Sequence, residues 1–149
     1  MTGLITDRER RTLVDLIRVA FPHDNFPAGA YERTAQAVLD KAAIDPRLHG
    51  LLVQGLSDLD EEREVPFSQL PPAIAALVLR GLDGTPFLCG VVDLAVVALY
   101  DDHEVWQILG YEGAAYDKGG YIDRGFDDLD WLPEPRIEYA DNDYAEVPA

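Results

Sequence analysis

Few residues in this chain have the type and spacing that chemistry demands. The three histidines, His23, His49 and His103, are widely separated, and none forms a His-x-x-x-His pair or neighbours the single cysteine, Cys89. Two imidazoles one helical turn apart converge on a metal, whereas scattered ones do not. The run Asp101-Asp102-His103-Glu104 concentrates oxygen and nitrogen donors. Consecutive helical residues diverge, however, and a hard cation wants converging oxygens. The run reads instead as a helix start, with Asp102 accepting amide N–H groups and Glu104 at the positive end of the dipole. Paired carboxylates for glycosidic chemistry carry little information among 28 acidic residues.

Asp93 is the one charge in an otherwise apolar segment, residues 87–100. A buried, unpaired carboxylate is costly, so Asp93 is expected at an edge, paired with an arginine such as Arg80 or with one on a partner. No Gly-x-Gly-x-x-Gly follows a strand-like run, no Walker loop is present, and a lone cysteine cannot attach a c-type haem. No catalytic, cofactor or metal site is therefore expected in this chain, and a flavin, if one is involved, belongs to another chain.

The elements that carry these residues read as helices. Thr6-Asp7-Arg8-Glu9 is a capping box, followed by Leu13, Leu16, Ile17 and Ala20 at helical spacing. Phe21-Pro22 ends that helix, since the residue before proline avoids the α region. Residues 31–43 form a second, with Tyr31, Ala35, Val38 and Leu39 inward. Asp45-Pro46 opens a third, carrying Leu48, Leu51, Leu52, Gly55, Leu56 and Leu59, and the charged run 58–64 at its end is expected to be a solvated loop. Ser68 is expected to cap a fourth, with Pro71-Pro72 in its first turn and Ile74, Leu77, Val78 and Leu79 facing in. Gly81-Leu82-Asp83-Gly84 breaks it.

Thr85-Pro86 starts the fifth helix, apolar on every face except at Asp93. Such a helix is expected to be buried all round and to organise the fold, with Cys89 an inert buried thiol. A charge at Val92 or Val96 is accordingly expected to unfold the chain. At roughly 1.5 Å per residue its 14 or so residues span about 21 Å, too short to cross a bilayer. A short sixth helix runs from about Asp102 to Leu109. No period-two run bounded by hairpin turns appears. The reading is all-α: a single-domain bundle of about five to six helices over residues 1–111, then an irregular Gly/Tyr/Pro-rich acidic segment, residues 112–149.

Composition narrows the function classes. The chain has 149 residues, 48% hydrophobic, enough for a real core. A net charge of −16 disfavours nucleic-acid phosphates and anionic membrane surfaces. One cysteine permits no disulfide within these residues. The Arg10-Arg11 pair is followed by Asp15 and Arg18 rather than an apolar run, so it reads as an exposed helix face and a cytoplasmic chain is expected.

Several short elements occur in a definite order. They are Phe21-Pro22-His23-Asp24, Tyr100-Asp101, Trp106, Gly110-Tyr111-Glu112-Gly113, Gly119-Gly120-Tyr121 and Trp131-Leu132-Pro133. Together they resemble the gluconate 2-dehydrogenase subunit 3 family, across most of the chain. The resemblance implies a small accessory subunit of a large FAD-dependent sugar or glycoside dehydrogenase of the glucose-methanol-choline type. That partner would hold the FAD and perform the oxidation. Many relatives of that family are exported with a twin-arginine signal.

The aromatics of the last third are the candidate contact residues. Tyr111, Tyr116, Tyr121, Phe126 and Trp131, with Leu132 and Pro133, fall where aliphatics are few. Large aromatics there either fold back on their own bundle or anchor another protein. Two functions remain open from residues and resemblance together: the accessory subunit, or a stand-alone acidic helical interaction protein with no enzyme partner.

Overall fold

Six α-helices and no strand make up the regular structure of the computed structural model, which describes residues 5–61 and 64–120. They are α1 (Asp7–Ala20), α2 (Ala28–Ile44), α3 (Pro46–Glu61), α4 (Pro72–Gly81), α5 (Pro86–Tyr100) and α6 (His103–Leu109), with 3₁₀ turns at Phe67–Gln69 and Tyr116–Lys118. The protein is all-α, as the periodicity requires. It divides into two units, Met1–Glu112 and Gly113–Ala149; all six α-helices lie in the first.

Local chemistry explains where most helices start. Thr6 Oγ1 accepts from the Glu9 amide at 3.2 Å, and the Glu9 carboxylate accepts from the Thr6 amide at 2.6 Å, closing the capping box of α1. Asp45 Oδ1 accepts from the Arg47 and Leu48 amides at 3.0 and 3.1 Å, ahead of Pro46 at the first position of α3. Thr85 Oγ1 accepts from the Leu88 amide at 3.3 Å, with Pro86 opening α5. The fourth start differs from expectation. Ser68 lies in the 3₁₀ turn, and α4 begins after Pro71 with no side-chain cap. Prolines carry no N–H, so Pro72 leaves one fewer orphan donor to satisfy. The Arg10-Arg11 pair lies exposed within α1.

The organising helix is α2, not α5. Its Ala30, Tyr31, Thr34, Ala35, Val38 and Ala42 are buried, and it packs on α1, α3 and α5. Alanines on the inward face let neighbouring helices approach closely from several sides. Helix α5 buries only one stripe, Phe87, Leu88, Val91, Ala95 and Leu99. Cys89, Asp93, Val96 and Val97 are exposed on its other side, and Val92 is half-buried. Full apolarity therefore did not mean full burial. Helices α1, α2, α3 and α6 contact α5, and among the described residues the side bearing Asp93 and Val97 stays open. Asp93 lies on that open side, and among the described residues no arginine pairs with it.

Helix α4 likewise turns Ala75 and Leu79 inward, i and i+4, while Ile74 and Leu77 are exposed. The contact of α5 with α3 is close at one point. A Cβ built on Gly55 would lie 2.3 Å from ring atoms of Phe87, so only glycine admits that ring.

The acidic run after α3 is not simply a solvated loop. Helix α3 continues to Glu61, and Asp60 is buried. Its Oδ2 accepts from Arg8 Nε at 2.9 Å and from Thr12 Oγ1 at 3.1 Å, and Oδ1 accepts from the Phe67 amide at 3.2 Å. Leu52, Leu56 and Asp60 follow one another at i+4, which places the carboxylate on the inward face, where it ties α1 to α3 and to the 3₁₀ turn.

Candidate docking surface

The end of α5 gathers aromatic residues from three parts of the chain. Tyr31 on α2 is buried and donates its hydroxyl to the Phe21 carbonyl at 2.7 Å, while the His23 amide donates back to that hydroxyl at 3.3 Å. This holds the α1–α2 loop in place. His23 stacks on Phe26 with ring centroids 4.2 Å apart, and its Nε2 lies 2.6 Å from the Tyr100 hydroxyl. Phe21 and Phe26 meet the Tyr100 ring edge-on at 6.2 and 6.3 Å, the arrangement that ring quadrupoles favour.

Past α5 the chain turns on polar contacts. Asp102 Oδ1 accepts from the Glu104 and Val105 amides at 3.0 and 3.3 Å and so caps α6, as its spacing suggested. Arg33 on α2 grips the same carboxylate from outside, Nε to Oδ2 at 2.6 Å and Nη2 to Oδ1 at 2.9 Å, and Nη2 also reaches Glu104 at 2.6 Å. The bond from Arg33 holds the Asp102 carboxyl below the usual carboxylate range, against the opposing effect of partial burial. The two carboxylates in turn raise the Arg33 pKa, the Asp102 bond most of all.

Trp106 Nε1 donates to the Tyr100 carbonyl at 2.6 Å, and the indole stacks with His103 at 4.6 Å. Gly110, at φ 71°, ends α6 in the left-handed conformation and turns Tyr111 back, edge-on to Trp106 at 5.1 Å. Phe21-Pro22-His23, Tyr100-Asp101, Trp106 and Gly110-Tyr111, separate in sequence, thus form one continuous cluster.

Apolar surface adjoins it along the chain. Val96 is 38% exposed and Val97 67%, on the outer side of α5, and Ile108 and Leu109 are exposed on α6. Scattered apolar residues are ordinary on a surface, but several on adjoining helices mark a place where another surface can sit. Tyr111 is 47% exposed and Tyr116 93%. Tyr121, Phe126, Trp131, Leu132 and Pro133 lie outside the described residues. Val97, Ile108 and Leu109 were not singled out from sequence, and Val96, expected in the core, is exposed instead. For Val96 and Val97 the signal was present in the uniform apolarity of residues 87–100, which fits an uncovered helix face as well as a buried one.

Among the described residues no group of three or more His, Cys, Asp or Glu side chains is placed to hold a metal ion, and no single helix is long and apolar enough to cross a membrane. Fold and surface together define an all-α bundle with an apolar outer face beside an aromatic cluster. No family model, curated protein or solved structure matches the chain.

Proposed function

We propose that this chain is a non-catalytic accessory subunit that binds and stabilises a large FAD-dependent sugar or glycoside dehydrogenase of the glucose-methanol-choline type. The observation that carries the reading is the convergence of the motif elements. Residues that resemble the gluconate 2-dehydrogenase subunit 3 family at separate points of the sequence meet in the cluster of His23, Tyr100, Trp106 and Tyr111. Exposed apolar side chains of α5 and α6 supply a surface for the larger protein. In this reading the FAD and the catalytic groups belong to the large subunit, and the complex is a cytoplasmic hetero-oligomer. Tyr111, Tyr116, Tyr121, Phe126 and Trp131-Leu132-Pro133 are the proposed anchors, and truncating a central anchor typically costs about 2 kcal/mol or more of binding.

The test is co-expression with a large FAD-binding chain encoded beside this one, followed by sizing and flavin absorbance. A stable complex that carries flavin and reduces a dye with a sugar substrate is expected, with Trp131→Ala weakening it. The chain purified alone is expected to be colourless. A stoichiometric flavin spectrum from the isolated chain, or no association with such a neighbour, overturns the reading.

A further inference from the structure

Helix α1 carries an acid and a base that the docking reading leaves unused. Asp15 and Arg18 line a cavity of about 510 Å³, whose apolar lining includes Phe26, Phe67, Leu70 and Ala75. The volume falls within the range of small-molecule sites, which combine an apolar lining with a few converging polar groups. Asp15 and Arg18 are three residues apart on one helix and so share a face, with Cβ atoms roughly 5–6 Å apart.

Neither group is satisfied by the other. Among the described residues Asp15 has no ion pair within 4.0 Å. Arg18 instead lays its guanidinium over the Tyr31 ring, 5.0 Å from the centroid, and no described carboxylate pairs with it. Burial pushes the Asp15 carboxyl above its ordinary value, Arg18 only partly offsets this, and Asp60 adds to it. A carboxylate that is partly desolvated and lacks a bonded partner gains most from an arriving cation. A guanidinium with open N–H edges is the natural receptor for a carboxylate.

We propose that this cavity binds a free apolar amino acid, its ammonium on Asp15, its carboxylate on the Arg18 guanidinium, and its side chain against Phe26 and Phe67. Charges of opposite sign one helical turn apart match the two charged groups borne by a single α-carbon, and a simple amine or a simple acid would leave one of them unanswered. Asp24, also in the lining, adds negative potential that favours the ammonium end, while His23 is already engaged by Tyr100 and Phe26. The site does not require the docking reading, although His23 and Phe26 line this cavity and also belong to the aromatic cluster.

The test is calorimetric and NMR titration of the full chain with L-phenylalanine and L-leucine, beside phenethylamine, which lacks the carboxylate, and 3-phenylpropionate, which lacks the ammonium. Saturable binding of at least one amino acid is expected, with amide shifts concentrated in residues 15–26 and 67–76. Each analogue, and each of Asp15→Asn and Arg18→Gln, is expected to bind about tenfold more weakly or worse. Failure of both amino acids to saturate at millimolar concentration overturns the proposal. So does phenethylamine or 3-phenylpropionate binding as tightly as L-phenylalanine, a comparison that needs no variant to fold.

Discussion

His23 Nε2 and the Tyr100 hydroxyl lie 2.6 Å apart although 77 residues separate them in the chain. The contact joins the α1–α2 loop to the last turn of α5, where Trp106 also bonds the Tyr100 carbonyl. Tyr100→Phe removes only the hydroxyl. It is expected to lower stability by about 1 kcal/mol, the usual net worth of one hydrogen bond, as read from urea unfolding. An unchanged midpoint would show that the hydroxyl is equally well satisfied by water.

Asp60 is a sharper case, because its partners are partly buried. Replacement by leucine leaves the Phe67 amide without its acceptor and restricts the Thr12 hydroxyl to the Arg8 carbonyl at 3.2 Å. The expected loss is about 1–3 kcal/mol, measured by chemical denaturation, with Asp60→Asn milder because one acceptor oxygen remains.

The Arg33–Asp102 pair gives stability a definite dependence on pH. The folded-state pKa of Asp102 is depressed below its unfolded value, chiefly by the bond from Arg33. Its contribution is therefore fully present above the unfolded value of about 3.9 and is lost as pH falls from there through the lower folded value. Arg33 stays charged throughout. Because Arg33 is largely exposed the effect is modest. The melting temperature of the parent chain is expected to exceed that of Arg33→Gln from neutral pH down to about 4, and the gap to close below that. A gap that persists undiminished in strong acid would assign it to packing rather than charge.

Two aspartates on one helix separate core from docking face. Val91 is fully buried, and Val91→Asp places an unpaired carboxylate in the core at a cost of several kcal/mol, enough to unfold the chain. Val97 is exposed, so Val97→Asp is expected to fold with stability within about 0.5 kcal/mol of the parent while weakening association with the proposed large subunit. Circular dichroism melting and a pull-down read the two effects separately. Loss of folding in Val97→Asp would mean that the outer side of α5 is covered within this chain.

The amino-acid sequence by itself determined where most helices begin and end. Thr6 with Glu9, Asp45 with Pro46, Thr85 with Pro86, and Asp102 act within a single turn, so the residues that decide the outcome are neighbours in the chain and can be read there. The all-α class follows from the same local periodicity. Only the tertiary structure decided which surfaces those helices hide. Helix α5, apolar nearly all round, buries one stripe, and the described helices that contact it leave Val96 and Val97 exposed. The alanine-lined α2, whose pattern is unremarkable as a string, takes the centre because small side chains admit close neighbours. Asp60 leaves its acidic run for the interior because Thr12 and Phe67 arrive from elsewhere to bond it. His23 meets Tyr100, and Asp15 shares a cavity with Phe67, for the same reason: burial and pairing at long range depend on what packs opposite, and that is a property of the folded chain rather than of any window within it.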